Sequence, residues 1–104
     1  MSQVLKICEQ TDLVANSGIC AIAEGQQILR KDPNSDAVYR NLSSLYLKQG
    51  RLEMASIMGD KALALNDADP NIYNNMGVVH LQTDDVPSAI EKFQTARKLD
   101  STHY

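Results

Sequence analysis

Residues 36–69 and residues 70–103 align without a gap at an offset of 34 positions, so that Tyr39 is answered by Tyr73, Ala55 by Ala89 and Ala62 by Ala96. A fixed period of this length makes each copy one supersecondary unit that cannot bury its own apolar face. The fold must then be an array whose neighbours cover one another. Helical spacing sets the kind of unit. Val38, Leu42, Leu45 and Tyr46 recur on one face within 36–49, and Leu52, Ala55, Ile57, Ala62, Leu63 and Leu65 do so in the next stretch. Between these runs lie stops and starts: a permissive turn at Gln49-Gly50, Asp69 ahead of Pro70, Asp85 ahead of Pro87, and Asn16-Ser17-Gly18 in the first part of the chain. The pattern predicts six helices, at about 3–14, 18–31, 36–48, 52–65, 70–82 and 86–99, and no strand.

The residues that repeat have a recognisable order. On the first helix of each unit stand a large residue, an apolar-small pair and an aromatic, and on the second an alanine, a large residue and an alanine. The first copy supplies Tyr39, Leu42-Ser43, Tyr46, Ala55, Gly59 and Ala62, and the second supplies Tyr73, Met76-Gly77, His80, Ala89, Phe93 and Ala96, with Gly59 and His80 as the departures. In the same frame one period earlier stand Leu5, Cys8-Glu9, Asp12, Ala21, Gly25 and Ile28, a degraded copy closed by Asp32-Pro33-Asn34. The chain resembles the tetratricopeptide-repeat (TPR) family in period and in pattern, strongly over 36–100 and weakly over 2–17. The resemblance implies an all-α fold, a right-handed α-solenoid of three antiparallel helix pairs. The units would run at about 2–35, 36–69 and 70–103 in a single domain that belongs to a longer repeat array. Ser43 is expected to face Ala55, and Gly77 to face Ala89, so that paired backbones approach closely.

Composition removes several function classes. A formal charge of −3 and a pI near 5.2 leave no clustered basic surface for phosphates, which argues against nucleic acid. No apolar run approaches the ~18 residues of a membrane span, and the start MSQVLKICEQ lacks the form of a signal peptide. With no address visible, membrane insertion is not expected and a cytoplasmic location is the default. Cys8 and Cys20 are too few for a disulfide framework or a four-ligand zinc site, and they read as free, buried or half-buried thiols. Asp67-Ala68-Asp69-Pro70-Asn71 imitates a calcium loop, but Ile72 and Val78 stand where glycine and the bidentate glutamate belong. His80 and His103 have no partner at metal spacing, Cys8 has no basic neighbour, and no glycine-rich loop precedes a helix. No catalytic residue, metal site or cofactor is expected, and so no enzyme.

What the resemblance implies instead is a protein-interaction scaffold or adaptor. First helices would line a concave groove offered by Lys6 and Gln10, by Arg40, Asn41, Ser44, Leu47 and Lys48, and by Asn71, Asn74, Asn75, Val78, Leu81 and Gln82. The expected ligand is an extended or helical segment of a protein partner. Lys6, Arg40 and Lys48 put +3 in that groove and leave −6 for the rest of the chain, which favours an acidic segment or a C-terminal carboxylate. Asn41 and Asn75 recur at the period, and amides can hold a main chain without reading its side chains. The carboxylate clamp that some members of the family use to grip chaperone tails is only partly matched. Lys6 and Asn41 fit it, whereas Gln10, Asn71 and Asn75 replace an asparagine, a lysine and an arginine.

The alternative is a structural assembly module. The last helix would leave Ile90 and Phe93 facing water, an open end that stacks on further repeats or on a second copy as a homo-oligomer. On this reading the isolated chain self-associates or is marginally stable.

Overall fold

The computed structural model describes residues 18–101. Its helix boundaries follow from the capping residues. Ser35 lies in extended backbone and its hydroxyl accepts the Val38 N–H at 3.4 Å, which opens a helix at Asp36. One period later the Asp69 carboxylate accepts the Asn71 N–H at 2.9 Å ahead of Pro70, whose missing donor costs nothing in a first turn. Asp85 accepts the Ser88 N–H at 3.3 Å and opens the last helix. Among the described residues there are five helices, α1 (Ile19–Lys31), α2 (Asp36–Lys48), α3 (Leu52–Leu65), α4 (Pro70–Gln82) and α5 (Val86–Ser101), and no strand. Each falls within two residues of its expected limits; the helix expected at 3–14 lies outside the described residues. No helix among the described residues is long and apolar enough to cross a membrane.

The turns inside the two complete pairs share one backbone path. Gly50, at φ 75°, donates to Leu47 O at 3.0 Å, and Arg51 donates to Tyr46 O at 2.9 Å. The equivalents 34 positions on are Asp84 N–H to Leu81 O at 3.2 Å and Asp85 N–H to His80 O at 2.8 Å, with Asp84 held at φ 61°. The path needs a left-handed residue, which glycine supplies freely and aspartate tolerates at a cost. Side chains repeat as well. Tyr39 OH donates to Pro33 O at 3.0 Å, and Tyr73 OH to Asp67 O at 2.9 Å.

These helices stack into an all-α repeat solenoid. The pairs α2–α3 and α4–α5 pack most extensively, α1 packs on α2 and α3 on α4 to join successive pairs, and α2 also touches α4. One apolar cluster runs through four helices, with Ile22 of α1, Leu42 and Tyr46 of α2, Ala55 of α3 and Val79 of α4 all buried. A second joins Ala62 of α3 to Ile72 and Met76 of α4. Burial at ~1.5–3 kcal/mol per large side chain is thus shared between units, which no single pair could achieve. Ser43, buried beside this core, donates its hydroxyl to Ala55 O at 2.7 Å.

Glycines set how closely the helices approach. A Cβ on Gly25 of α1 would lie 3.0 Å from Leu42 Cδ2 and 3.5 Å from Val38 Cγ1 of α2. On Gly59, one period later in α3, it would overlap Met76 Sδ of α4. Leu42 and Met76 are themselves one period apart, so the same socket joins α1 to α2 and α3 to α4. Gly59 departs from the large residue of the family pattern because Met76 takes that volume from the next unit. In the last pair the arrangement reverses. Phe93 holds the place of Gly59, and its ring lies where a Gly77 Cβ would meet it at 2.6 Å.

Two expectations change here. Phe93 does not stand in water beside Ile90: it is half-buried against Gly77, whereas Ile90 is 50% exposed. Cys20 is buried and disulfide-bonded, not a free thiol; Cys8 lies outside the described residues.

Gly77→Ala is expected to lower stability by about 1–2 kcal/mol, the ring clash outweighing the better helix propensity of alanine. Gly25→Ala, where Leu42 needs to shift only slightly, is expected to stay within about 1 kcal/mol of the native chain. Urea unfolding of the two variants measures both, and equal losses would contradict the packing described.

Candidate protein-binding groove

The first helices of the two complete pairs, α2 and α4, lie against each other and present the residues that the repeat frame assigns to a groove. On α2, Asn41 and Lys48 are exposed and Arg40, Ser44 and Leu47 are half-buried. On α4, Asn71, Asn74, Leu81 and Gln82 are exposed, and Asn75 and Val78 are half-buried. Lys6 and Gln10 lie outside the described residues.

Leu47 is half-buried because it packs on the core cluster, while Leu81, its equivalent one period later, is 46% exposed. The amides are unused. The side chains of Asn41, Asn71, Asn74 and Asn75 make no hydrogen bond among the described residues, in contrast to Asn66, which donates to Asp36 Oδ2 at 3.0 Å and accepts from Ala68 N–H at 3.1 Å. The amide of Asn66 is engaged within the fold; those on the first helices are not.

The charges are distributed differently from the sequence count. Arg40 Nη1 donates to Asp69 Oδ2 at 2.6 Å, with Arg40 31% and Asp69 10% exposed at the side chain. A cation counted as open for a ligand is therefore already neutralised by the residue that caps α4.

Asn41, Ser44 and Lys48 belong to a cleft of about 420 Å³ between α1 and α2, floored by Gly25, Leu42, Val38 and Leu45 and edged by Glu24 and Ile28. No residue of α4 lines it, so the expected groove divides into this cleft and the α4 face. Glu24, Ile28 and Asp69 were not expected to take part. Ile28 carried a legible signal, since it replaces the alanine found at Ala62 and Ala96, both buried, and stands 49% exposed. Asp69 carried none beyond its capping role, because its partner is 29 positions away.

At the far end of α4, His80 is half-buried with Nδ1 3.7 Å from Asp85 Oδ2. In the preceding unit the same two positions hold Tyr46 and Arg51, the guanidinium 4.8 Å from the ring centroid, and Gln26 Nε2 donates to the Tyr46 hydroxyl at 3.3 Å. The histidine thus keeps the aromatic's place and turns its edge to the neighbouring turn. Among the described residues no group of three His, Cys, Asp or Glu is placed to hold a metal ion.

No family model matches the chain, and no curated protein does. Among solved structures it is similar to MamA MSR-1 C2, a TPR-containing protein, with a TM-score of 0.76 over 88% of this chain at 17% identity. The fold is TPR-like. At that identity the likeness establishes the fold alone, and the chain spans 52% of the MamA chain. In this TPR-like chain the site is assembled from its own residues: an amide row, the exposed Leu81 beside a half-buried Val78 on α4, and a neutralised arginine.

Asp85 supplies a test of the turn that closes this face. The Ser88 hydroxyl and backbone amide hold its carboxyl below the usual value of 3.8, and His80 adds a smaller attraction. A depressed folded pKa contributes stability above the unfolded value, near 3.9, and that contribution is lost as pH falls through the folded value. Asp85→Asn is expected to flatten the decline of melting temperature below about pH 4 and leave its slope above about pH 5 unchanged. Thermal melts from pH 2 to 7 measure this; an unchanged acid limb would contradict it.

Proposed function

We propose that the chain is a protein-interaction module that holds an extended segment of a partner along the first helices. The observation that supports this reading most is the set of unused amides at Asn41, Asn71, Asn74 and Asn75 beside the exposed Leu81. An amide side chain both donates and accepts, so it matches the alternating N–H and C=O groups of a main chain. A helical ligand satisfies those groups internally and would leave the amides idle; an extended one exposes them at every residue. This favours the extended form over the helical one. Division into units at about 2–35, 36–69 and 70–103 within a longer array belongs to the same proposal; a tyrosine hydrogen bond repeated once at an offset of 34 residues supports the period.

A second reading, assembly through the end of the array, is favoured by Ile90 and Val86, both about half exposed on α5. Different variants separate the two. Asn41→Ala with Asn75→Ala is expected to weaken peptide binding about tenfold, ~1.4 kcal/mol, at an unchanged melting temperature. Ile90→Asp is expected to spare binding and remove any concentration-dependent association; Phe93 is unsuitable for that purpose because it packs on Gly77. Fluorescence polarisation with an extended-peptide library, beside light scattering, reads both effects. Full binding by the double variant would rule out the amide row.

A further inference from the structure

One carboxylate does two things at the start of α4. Asp69 Oδ1 accepts the Asn71 N–H at 2.9 Å and caps the helix, and Oδ2 accepts Arg40 Nη1 of α2 at 2.6 Å. Capping does not need the second oxygen, because Ser35 opens α2 at the equivalent position with a hydroxyl. The extra oxygen is placed on the cation that stands between α2 and α4. With Asp69 10% exposed, the pair is partly withdrawn from water, where a charge-assisted bond is stronger and less screened than on an open surface. Lys48, the other cation of the face among the described residues, lines the same cleft as Glu24. The remaining positions are amides, a hydroxyl and apolar side chains, so the described face carries no net charge.

The geometry points to Asp69 as a specificity-determining residue: by neutralising Arg40 it sets the groove to take an extended segment of no net charge and to turn acidic segments away. This inference rests on the groove reading above. An acidic side chain approaching Arg40 must either displace a carboxylate already bonded to the guanidinium or remain beside a like charge, and both are unfavourable. A neutral segment meets neither obstacle. Asp69 engages Nη1, and the other N–H groups of the planar fork remain suited to main-chain carbonyls. Alternate side chains of an extended ligand fall on one side, which suits apolar residues set against Val78 and Leu81.

Asp69→Ser tests this, since it keeps a capping oxygen of the kind Ser35 uses and frees Arg40; Asp69→Asn, also a capping residue, is the second variant. The probes are three pools of acetylated, amidated peptides with the same apolar residues and with glutamine, glutamate or lysine at the variable positions. For the native chain the glutamine pool is expected to bind best, with affinity changing less than about twofold between about 50 and about 300 mM salt. For Asp69→Ser the glutamate pool is expected to gain about tenfold at low salt, and the gain is expected to vanish in Arg40→Gln/Asp69→Ser. Circular dichroism melts confirm that each variant is folded. A native chain that prefers the glutamate pool, or capping variants that leave the ranking unchanged, would overturn the inference while the groove reading stands. If no pool binds the native chain, the groove reading fails and the inference falls with it.

Discussion

The array depends on a close contact between helices of successive units, made where a glycine in one receives a large side chain from the next. Gly25 receives Leu42, and 34 residues later Gly59 receives Met76. The contact couples units because the large side chain of one is enclosed against the helix of the other: Leu42 and Met76 are among the most enclosed side chains of the described residues. The stripe of Ala55, Gly59 and Ala62 on α3 serves the same end, since a helix with neighbours on two sides can approach both only if its buried residues are small. In the last pair Phe93 fills the glycine's place and folds back on Gly77, so volume is conserved while its owner changes.

Because those sockets fix the spacing, α2 and α4 come to lie side by side, the outward residues of α2 lining the cleft with α1 and those of α4 forming the face beside it. The ion pair between Arg40 and Asp69 then ties the N-terminal part of α2 to the residue that caps α4. A single aspartate thereby links helix capping, the fit between units and the charge of the face where a partner segment is proposed to lie. Stability and the proposed recognition meet at that residue, whereas the amides of Asn41, Asn74 and Asn75 make no side-chain hydrogen bond among the described residues.

Most of the fold was legible because its punctuation is local. Asp69-Pro70 and Asp85 act on residues two or three positions away, so these helix limits follow from short patterns. The contacts between units were less so. Gly59 looks like a flaw until Met76, 17 positions on, is seen to occupy its space, and Phe93 looks exposed until Gly77 is seen beneath its ring. In both cases the missing information was which of two helices supplies the volume. The amides of the candidate site were readable from the period, but the state of Arg40 was not, because a pairing across 29 residues leaves no local trace. Likewise nothing near Cys20 announces its disulfide.

The most direct test of the glycine socket is a double-mutant cycle between Gly59 and Met76, followed by urea unfolding. Gly59→Ala alone is expected to cost about 1–2 kcal/mol through overlap with the methionine, offset in part by helix propensity. In a Met76→Val background, where the overlapping sulfur is gone, the same change is expected to be neutral or stabilising by up to about 1 kcal/mol. An equal loss in both backgrounds would show that the two residues are not coupled, and that the contact does not hold the units together.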